Sequence, residues 1–310
     1  MGLEAILTIN PNTRAISGAA FATLLLIALM MGANHVAARI AFNHGVDVST
    51  AVLFRSTVTV LIVGALIVLQ GVPVAFNARH KRVLPFIGLL IGVQSLCLYS
   101  AVARLPVALA LLAFNTYPLW TALWNRLLYR QHPERAMLLA MPVILIGLAL
   151  ALDVMGASSG LGATGQWQSI GAGVAFALAA AASFGLALVL TQHETTDLDG
   201  RVRTACSLGM AALVALVSGL SQGGFHLPQV MAGWGGLIAL TLLYGTGFTL
   251  MFTVLPKLGV AGNSAIMNVE PVFALVLAWL ILGQTIAPIQ VVGALLVVGA
   301  VMGLGLRKRA

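Results

Sequence analysis

The chain has 310 residues, 60% of them hydrophobic and only 8% charged, with a formal net charge of +8. Water-soluble domains carry about 25% charged residues, and a mean hydropathy of +1.03 excludes a soluble core with a sticky surface: this chain meets lipid along most of its length. The basic excess is not a nucleic-acid footprint, because the lysines and arginines sit in short connections between apolar runs, where a membrane protein carries them.

A bilayer span needs about 20 mainly apolar residues. Ten such stretches follow a short polar tail at residues 1–15, and the first run is longer than the apolar core of a signal peptide. The first, Ile16–Phe42, holds Asn34, His35 and Arg39. His35 and Arg39 are four apart and share a helix face, either as a polar wall toward a substrate carboxylate or, for Arg39, as an interfacial residue that snorkels outward. The second, Thr50–Leu69, has Arg55 close to its start, which reads as an interfacial anchor. In the third, Val83–Ala103, Gln94 and Tyr99 lie about 140° apart on a helix, so at most one points straight at a central cavity, while Gly88 and Gly92 make a packing face.

The fourth span, Val107–Leu128, carries Asn115, Tyr117, Trp120 and Trp124, an aromatic stripe that serves packing or lines a site. The fifth is Ala136–Leu152. Residues 153–169 are Gly- and Ser-rich and read as a flexible link. The sixth and seventh spans are Ile170–Thr191 and Arg203–Leu220. In the eighth, Trp234–Leu255, Tyr244, Phe248 and Phe252 recur every fourth residue, as core or as an aromatic gate. The ninth, Val260–Leu282, holds Asn263, Asn268, Glu270 and Pro271. An acid at bilayer depth costs about 2.5–3.5 kcal/mol on insertion scales, and the proline frees the carbonyl of Met267. Asn268 and Glu270 are about 200° apart on a regular helix, so both cannot face one cavity without distortion. In the tenth, Ala287–Leu306, Gly299 and Gly303 suit intramolecular packing or a dimer contact.

With the N-terminus in the cytoplasm, 13 of the 16 basic residues fall on the cytoplasmic side and only Arg39, Arg55 and Arg104 on the other. That asymmetry sets an even span count with both termini inside.

Asn115 and Pro118 recur 153 residues later as Asn268 and Pro271, and the same offset pairs Gly32 with Gly185, Gly71 with Gly224 and Gly92 with Gly245. The chain reads as a duplication, residues 16–153 and 170–306, joined by a link at 154–169 and closed by a basic tail at 307–310. Each half has five spans. Five is odd, so the second half crosses in the opposite sense, giving an inverted repeat with a site between the halves, an architecture of secondary transporters. Tyr117 occupies in the first half the place of Glu270 in the second, so the site is asymmetric.

The stretch Glu270–Leu304, EPVFALVLAWLILGQTIAPIQVVGALLVVGAVMGL, resembles the closing pattern of the EamA type within the drug/metabolite transporter (DMT) superfamily. The turn ends in Gln284, where the family more often has Glu. The segment NTYPLWTALWN and the overall layout look most like the YddG-type exporters of aromatic and hydrophobic amino acids. The resemblance implies a multi-pass exporter in the inner membrane of a bacterium.

The expectation is therefore an all-α integral membrane protein of ten transmembrane helices, two inverted five-helix repeats, with cytoplasmic termini. It moves a small-molecule substrate, an amino acid, through a cavity lined by His35, Gln94, Tyr99, Asn115, Trp120, Tyr244, Asn268 and Glu270. The lipid bilayer is its other partner; no nucleic acid, metal or cofactor enters, and the chain is a monomer with a dimer as the alternative. No nucleotide-binding loop, HExxH or paired-cysteine spacing occurs. Ser183 and His193 are ten apart and do not make a nucleophile–base pair, so the chain does not read as an enzyme. Export of drugs or nucleosides, and a passive metabolite channel, are the competing readings.

Overall fold

A computed structural model describes residues 18–132, 135–253, 269–285 and 287–306. Among them every regular element is a helix: α1 (Gly18–Asn43), α2 (Val48–Leu69), α3 (Ala78–Arg104), α4 (Val107–Phe114), α5 (Tyr117–Tyr129), α6 (Arg135–Ala151), α7 (Gly162–Glu194), α8 (Gly200–Ser221), α9 (Met231–Thr253), α10 (Glu270–Leu282) and α11 (Pro288–Leu306). Lipid offers no hydrogen bonds to a bare backbone, so a chain this apolar satisfies its peptide groups within helices. Six helical segments among the described residues are long and apolar enough to cross a membrane, and α10, Leu138–Ala151 and Pro288–Gly303 are shorter apolar helices.

Polar caps start the helices where the sequence leaves the apolar runs. Asp47 accepts from the Thr50 amide at 2.8 Å to begin α2, Asn77 and His80 cap one another at the start of α3, and Asp199 accepts from the Arg201 amide at 2.8 Å to begin α8. One cap comes from the other half: Gln284 Oε1 accepts from the Val107 amide at 3.1 Å. The amide that opens α4 is thereby held by the turn after α10, a structural use for the side chain that stands where the resembling family has an acid.

The fourth span is not one regular helix. It breaks at Asn115 and Thr116, where Asn115 closes α4 and Thr116 precedes α5. Pro118, one residue into α5, has no amide to continue the ladder, and Thr116 Oγ1 turns back to the Ala113 carbonyl at 2.8 Å. α10 starts in the same way, with Glu270 first and Pro271 second. Residues 254–268, with Asn263 and Asn268, lie outside the described residues.

α4 is the centre of the molecule. Val107 to Ala113 are all buried, packed with Ile144 of α6, Val174 of α7 and Val297 of α11; a helix covered on every side is apolar all round. Around it, α1 packs on α9 and α10, α7 on α3 and α5, α2 on α8, and α6 on α11. Gly88 and Gly92 face Met210 and Val214 of α8. Gly299 and Gly303 have open space where a side chain would start, so the intramolecular packing of α11 runs instead through Gly293, which lies against the backbone of Gly147 and Ala151.

The link read as flexible is folded. Asp153 is buried and accepts from the amides of Ala157 at 3.0 Å and Ser159 at 2.9 Å, while Gln166 donates to the Leu152 carbonyl at 3.0 Å. Glycines alone suggest mobility; one buried carboxylate that gathers the loop's amides closes it.

Candidate functional site

Two close helix approaches build the centre. A Cβ at Gly32 of α1 would lie 3.1 Å from the Glu270 carbonyl oxygen and 3.1 Å from the Ala274 amide of α10. A Cβ at Gly185 of α7 would lie 2.9 Å from the Thr121 amide and 2.9 Å from Trp120 Cβ of α5. These four partners keep the 153-residue offset: Gly32 with Gly185, and Ala274 with Thr121. The repeat seen in the sequence is thus a repeat of contacts.

At the first approach His35 Nε2 lies 3.3 Å from Glu270 Oε1. His35 is buried, whereas the Glu270 side chain keeps 26% of its surface. Next to it, the Tyr99 hydroxyl donates to Asn34 Oδ1 at 2.8 Å and accepts from Arg55 at 3.2 Å. The His35 ring meets the Tyr99 ring edge-on, centroids 5.7 Å apart. The Arg55 guanidinium sits between two rings, 4.3 Å from the centroid of Tyr99 and 4.1 Å from that of Tyr244. A desolvated cation on an aromatic face gains about 2 kcal/mol, less than the several kcal/mol that burying a charge costs. The side-chain atoms Asn34 Nδ2, His35 Nδ1, Arg39 Nε, Arg55 Nε and Ser56 Oγ are buried without a hydrogen-bond partner among the described residues.

The residues expected at the site separate. His35, Tyr99, Tyr244 and Glu270 come together. Gln94 is buried but accepts from its neighbour Ser95 at 3.3 Å. Asn115 is buried at the break between α4 and α5. Trp120 lies in the α5–α7 approach against Gly185, where Trp124 donates to the Ala182 carbonyl at 3.0 Å. Asn268 lies outside the described residues, as do the side chains of Phe248 and Phe252.

Arg39 and Arg55 depart from the sequence reading. Arg39 does not snorkel outward; it donates to the Val102 and Leu105 carbonyls at 2.6 and 3.1 Å, closing the end of α3. Arg55 is not an interfacial anchor: it is 2% exposed. α2 starts at Val48, two residues earlier than the apolar run suggested, which carries Arg55 deeper. The signal available in the sequence was a lone cation in an otherwise uncharged 22-residue helix.

A polar vestibule of about 380 Å³ opens beside this cluster, with Phe42, Asp47, Ser49, Ser100, Arg104 and Gln222 in its wall. Phe42 also packs edge-on against Tyr99, centroids 5.7 Å apart, so a residue of the vestibule wall touches the cluster. At the opposite ends of the helices lies an ionic network. His80 meets Asp197 at 2.9 Å, Arg79 meets Asp197 at 3.6 Å and Glu194 at 4.0 Å, and the Tyr129 hydroxyl donates to Glu194 at 2.7 Å. The His80 hydrogen bond holds the Asp197 carboxyl below the usual carboxylate range. No group of three or more potential metal ligands occurs among the described residues.

The EamA-like transporter family model matches residues 17–152 and again residues 171–306. The threonine/homoserine exporter RhtA of Salmonella typhimurium (strain SL1344) is 24% identical over 228 residues, 74% of this chain and 72% of the relative. RhtA of Escherichia coli (strain K12) is 24% identical over 237 residues, 76% and 74% of the two chains. A solved crystal structure covers 91% of this chain and 95% of its own with a TM-score of 0.59 at 21% identity, which shows a common fold.

Proposed function

The chain belongs to the EamA-like transporter family, and from that premise we propose that it is a secondary carrier exporting small amino acids across a bacterial inner membrane by alternating access. The observation that carries this is the His35–Glu270 pair. It spans a first-half helix and a second-half helix at a close approach, so relative motion of the halves makes and breaks it. A zwitterion brings one cation and one anion, and the cluster offers one acid and a set of unpaired donors to meet them.

Small amino acids come first because relatives are named for threonine and homoserine, and because Tyr99 and Tyr244, which would have faced an aromatic substrate, face Arg55 instead. In this proposal the halves are inverted, ten spans carry both termini to the cytoplasm, the vestibule faces outward and the ionic network closes the inner side. Cysteine labelling from outside then reaches a residue placed at Ser159 and not one placed at Lys81; the reverse pattern refutes the topology.

Counterflow in proteoliposomes tests the transport. Saturable, trans-stimulated movement of threonine or homoserine is the expected result. Movement of aromatic amino acids alone restores the aromatic reading, non-saturating flux makes the protein a channel, and no flux with any amino acid overturns the proposal.

A further inference from the structure

Six of the eight acidic residues are described, and each has its own partners. Asp47 holds Thr50 and His226, Asp153 its own loop, and Glu194 and Asp197 the ionic network. Asp199 holds Arg201 and Glu270 meets His35. None of the six lies within salt-bridge distance of Arg55. Yet Arg55 is 2% exposed, is held by one neutral hydroxyl and two ring faces, and keeps a buried Nε without an acceptor. A planar guanidinium is the side chain best suited to grip a carboxylate with two parallel hydrogen bonds, and here it is fixed in place with no carboxylate partner among the described residues.

We infer that Arg55 is the receptor for the substrate's carboxylate, with Tyr99 and Tyr244 as the walls that hold the guanidinium flat and Glu270 left to meet the ammonium group. The vestibule supplies the approach. Ser49 in its wall is on the helix of Arg55, Ser100 adjoins Tyr99, and Phe42 is the wall residue packed on the Tyr99 ring. Arg55 is thus a specificity residue: it selects ligands that carry an anion beside their amine.

This rests on the amino acid reading for its substrate class, and its test separates the two. Purified full-length protein is assayed for thermal stabilisation by L-threonine, L-homoserine and L-phenylalanine, by their carboxamides, and by acetate and pyruvate. The first comparison is acid against amide; proteoliposome uptake of the same compounds gives KM and maximal rate. The expected result is stabilisation and uptake of the acids at least tenfold in preference to the amides. Arg55→Met should raise KM for the acids at least tenfold and bring the acid-to-amide preference close to one. Arg55→Lys keeps the charge without the fork and should raise KM several-fold while retaining part of the preference. It serves where Arg55→Met fails to fold. Unchanged KM and preference in a folded variant, or a wild type that treats acid and amide alike, overturns the inference. If no amino acid is carried but pyruvate or acetate stabilises the wild type and not the variant, the carboxylate receptor stands and the amino acid reading falls; if no carboxylate stabilises the wild type, the receptor falls.

Discussion

The α1–α10 and α5–α7 approaches share a backbone and differ in chemistry. Gly32 and Gly185 each admit a partner helix to backbone contact, and both partner helices start one residue before a proline. Around Gly32 stand Asn34, His35 and Glu270. Around Gly185 stand Phe184, Tyr117 and Trp120, with Tyr117 and Phe184 in edge-on contact at 5.2 Å between centroids. At the 153-residue offset, Asn34, His35, Arg55 and Tyr99 are answered by Ala187, Leu188, Leu208 and Phe252. A duplicated fold thus needs both joints, whereas only one of them carries the polar side chains on which the proposed substrate site rests. At these two joints packing is repeated and chemistry is not.

The largest effect that can break this comparison is at its centre. Glu270→Gln removes the acid and keeps the shape, and should lower the transport rate at least about tenfold, ~1.4 kcal/mol, with expression and thermal stability unchanged. Tyr117→Phe, the equivalent change at the other joint, should leave the rate within about twofold, which is under ~0.5 kcal/mol. Full activity of Glu270→Gln in reconstituted vesicles would remove the difference between the joints.

The glycines test the shared part. Alanine at Gly185 brings a Cβ to 2.9 Å from a backbone amide, and alanine at Gly32 brings one to 3.1 Å from backbone atoms. Neither backbone can yield without moving a helix, so each substitution should cost about 1–3 kcal/mol as overpacking, the larger loss falling on Gly185→Ala. Thermal unfolding in detergent reads this directly. A loss confined to one joint would mean that only one of them holds the fold together.

These joints explain how far the sequence could be read. Glycine, asparagine and proline spacing exposed the repeat because close approach and a broken ladder each demand particular residues, so Gly32, Gly185, Pro118 and Pro271 marked both joints. The presence of His35, Tyr99 and Glu270 in polar or aromatic positions was also legible. Their grouping was not, because it depends on which faces of α1, α3, α9 and α10 meet. Arg55 shows the limit most clearly: its depth follows from a cap three residues upstream of the apolar run and from two tyrosines 44 and 189 positions away. Trp120 shows the converse, since an aromatic stripe beside a glycine on a neighbouring helix packs whether or not a substrate is near.

The smallest effects concern a feature that both halves do share in chemistry, the capped start of α2 and α8. Burial pushes the Asp47 carboxyl up, but the Thr50 hydroxyl, the amides of His226 and Thr50 and the His226 ring outweigh it and hold the group below its ordinary value. At Asp199 the Arg201 side chain is the leading cause of a shift in the same direction. A carboxyl depressed in the folded state stabilises the fold above its unfolded pKa, about 3.9, and that contribution is lost as pH falls through the lower folded value. Asp47→Ala and Asp199→Ala should therefore each cost about 1 kcal/mol at neutral pH. The difference from wild type should shrink as the solution is acidified below about pH 4, where the wild-type carboxyls protonate too. Because Asp47 also holds the His226 amide of the α8–α9 turn at 2.7 Å, its loss should loosen the vestibule wall and raise labelling of a cysteine placed at Ser49. Asp199→Ala, which caps α8 at the opposite end, should leave that labelling unchanged. Equal labelling in the two variants would show that the caps act on helix stability alone and that the vestibule is held by packing.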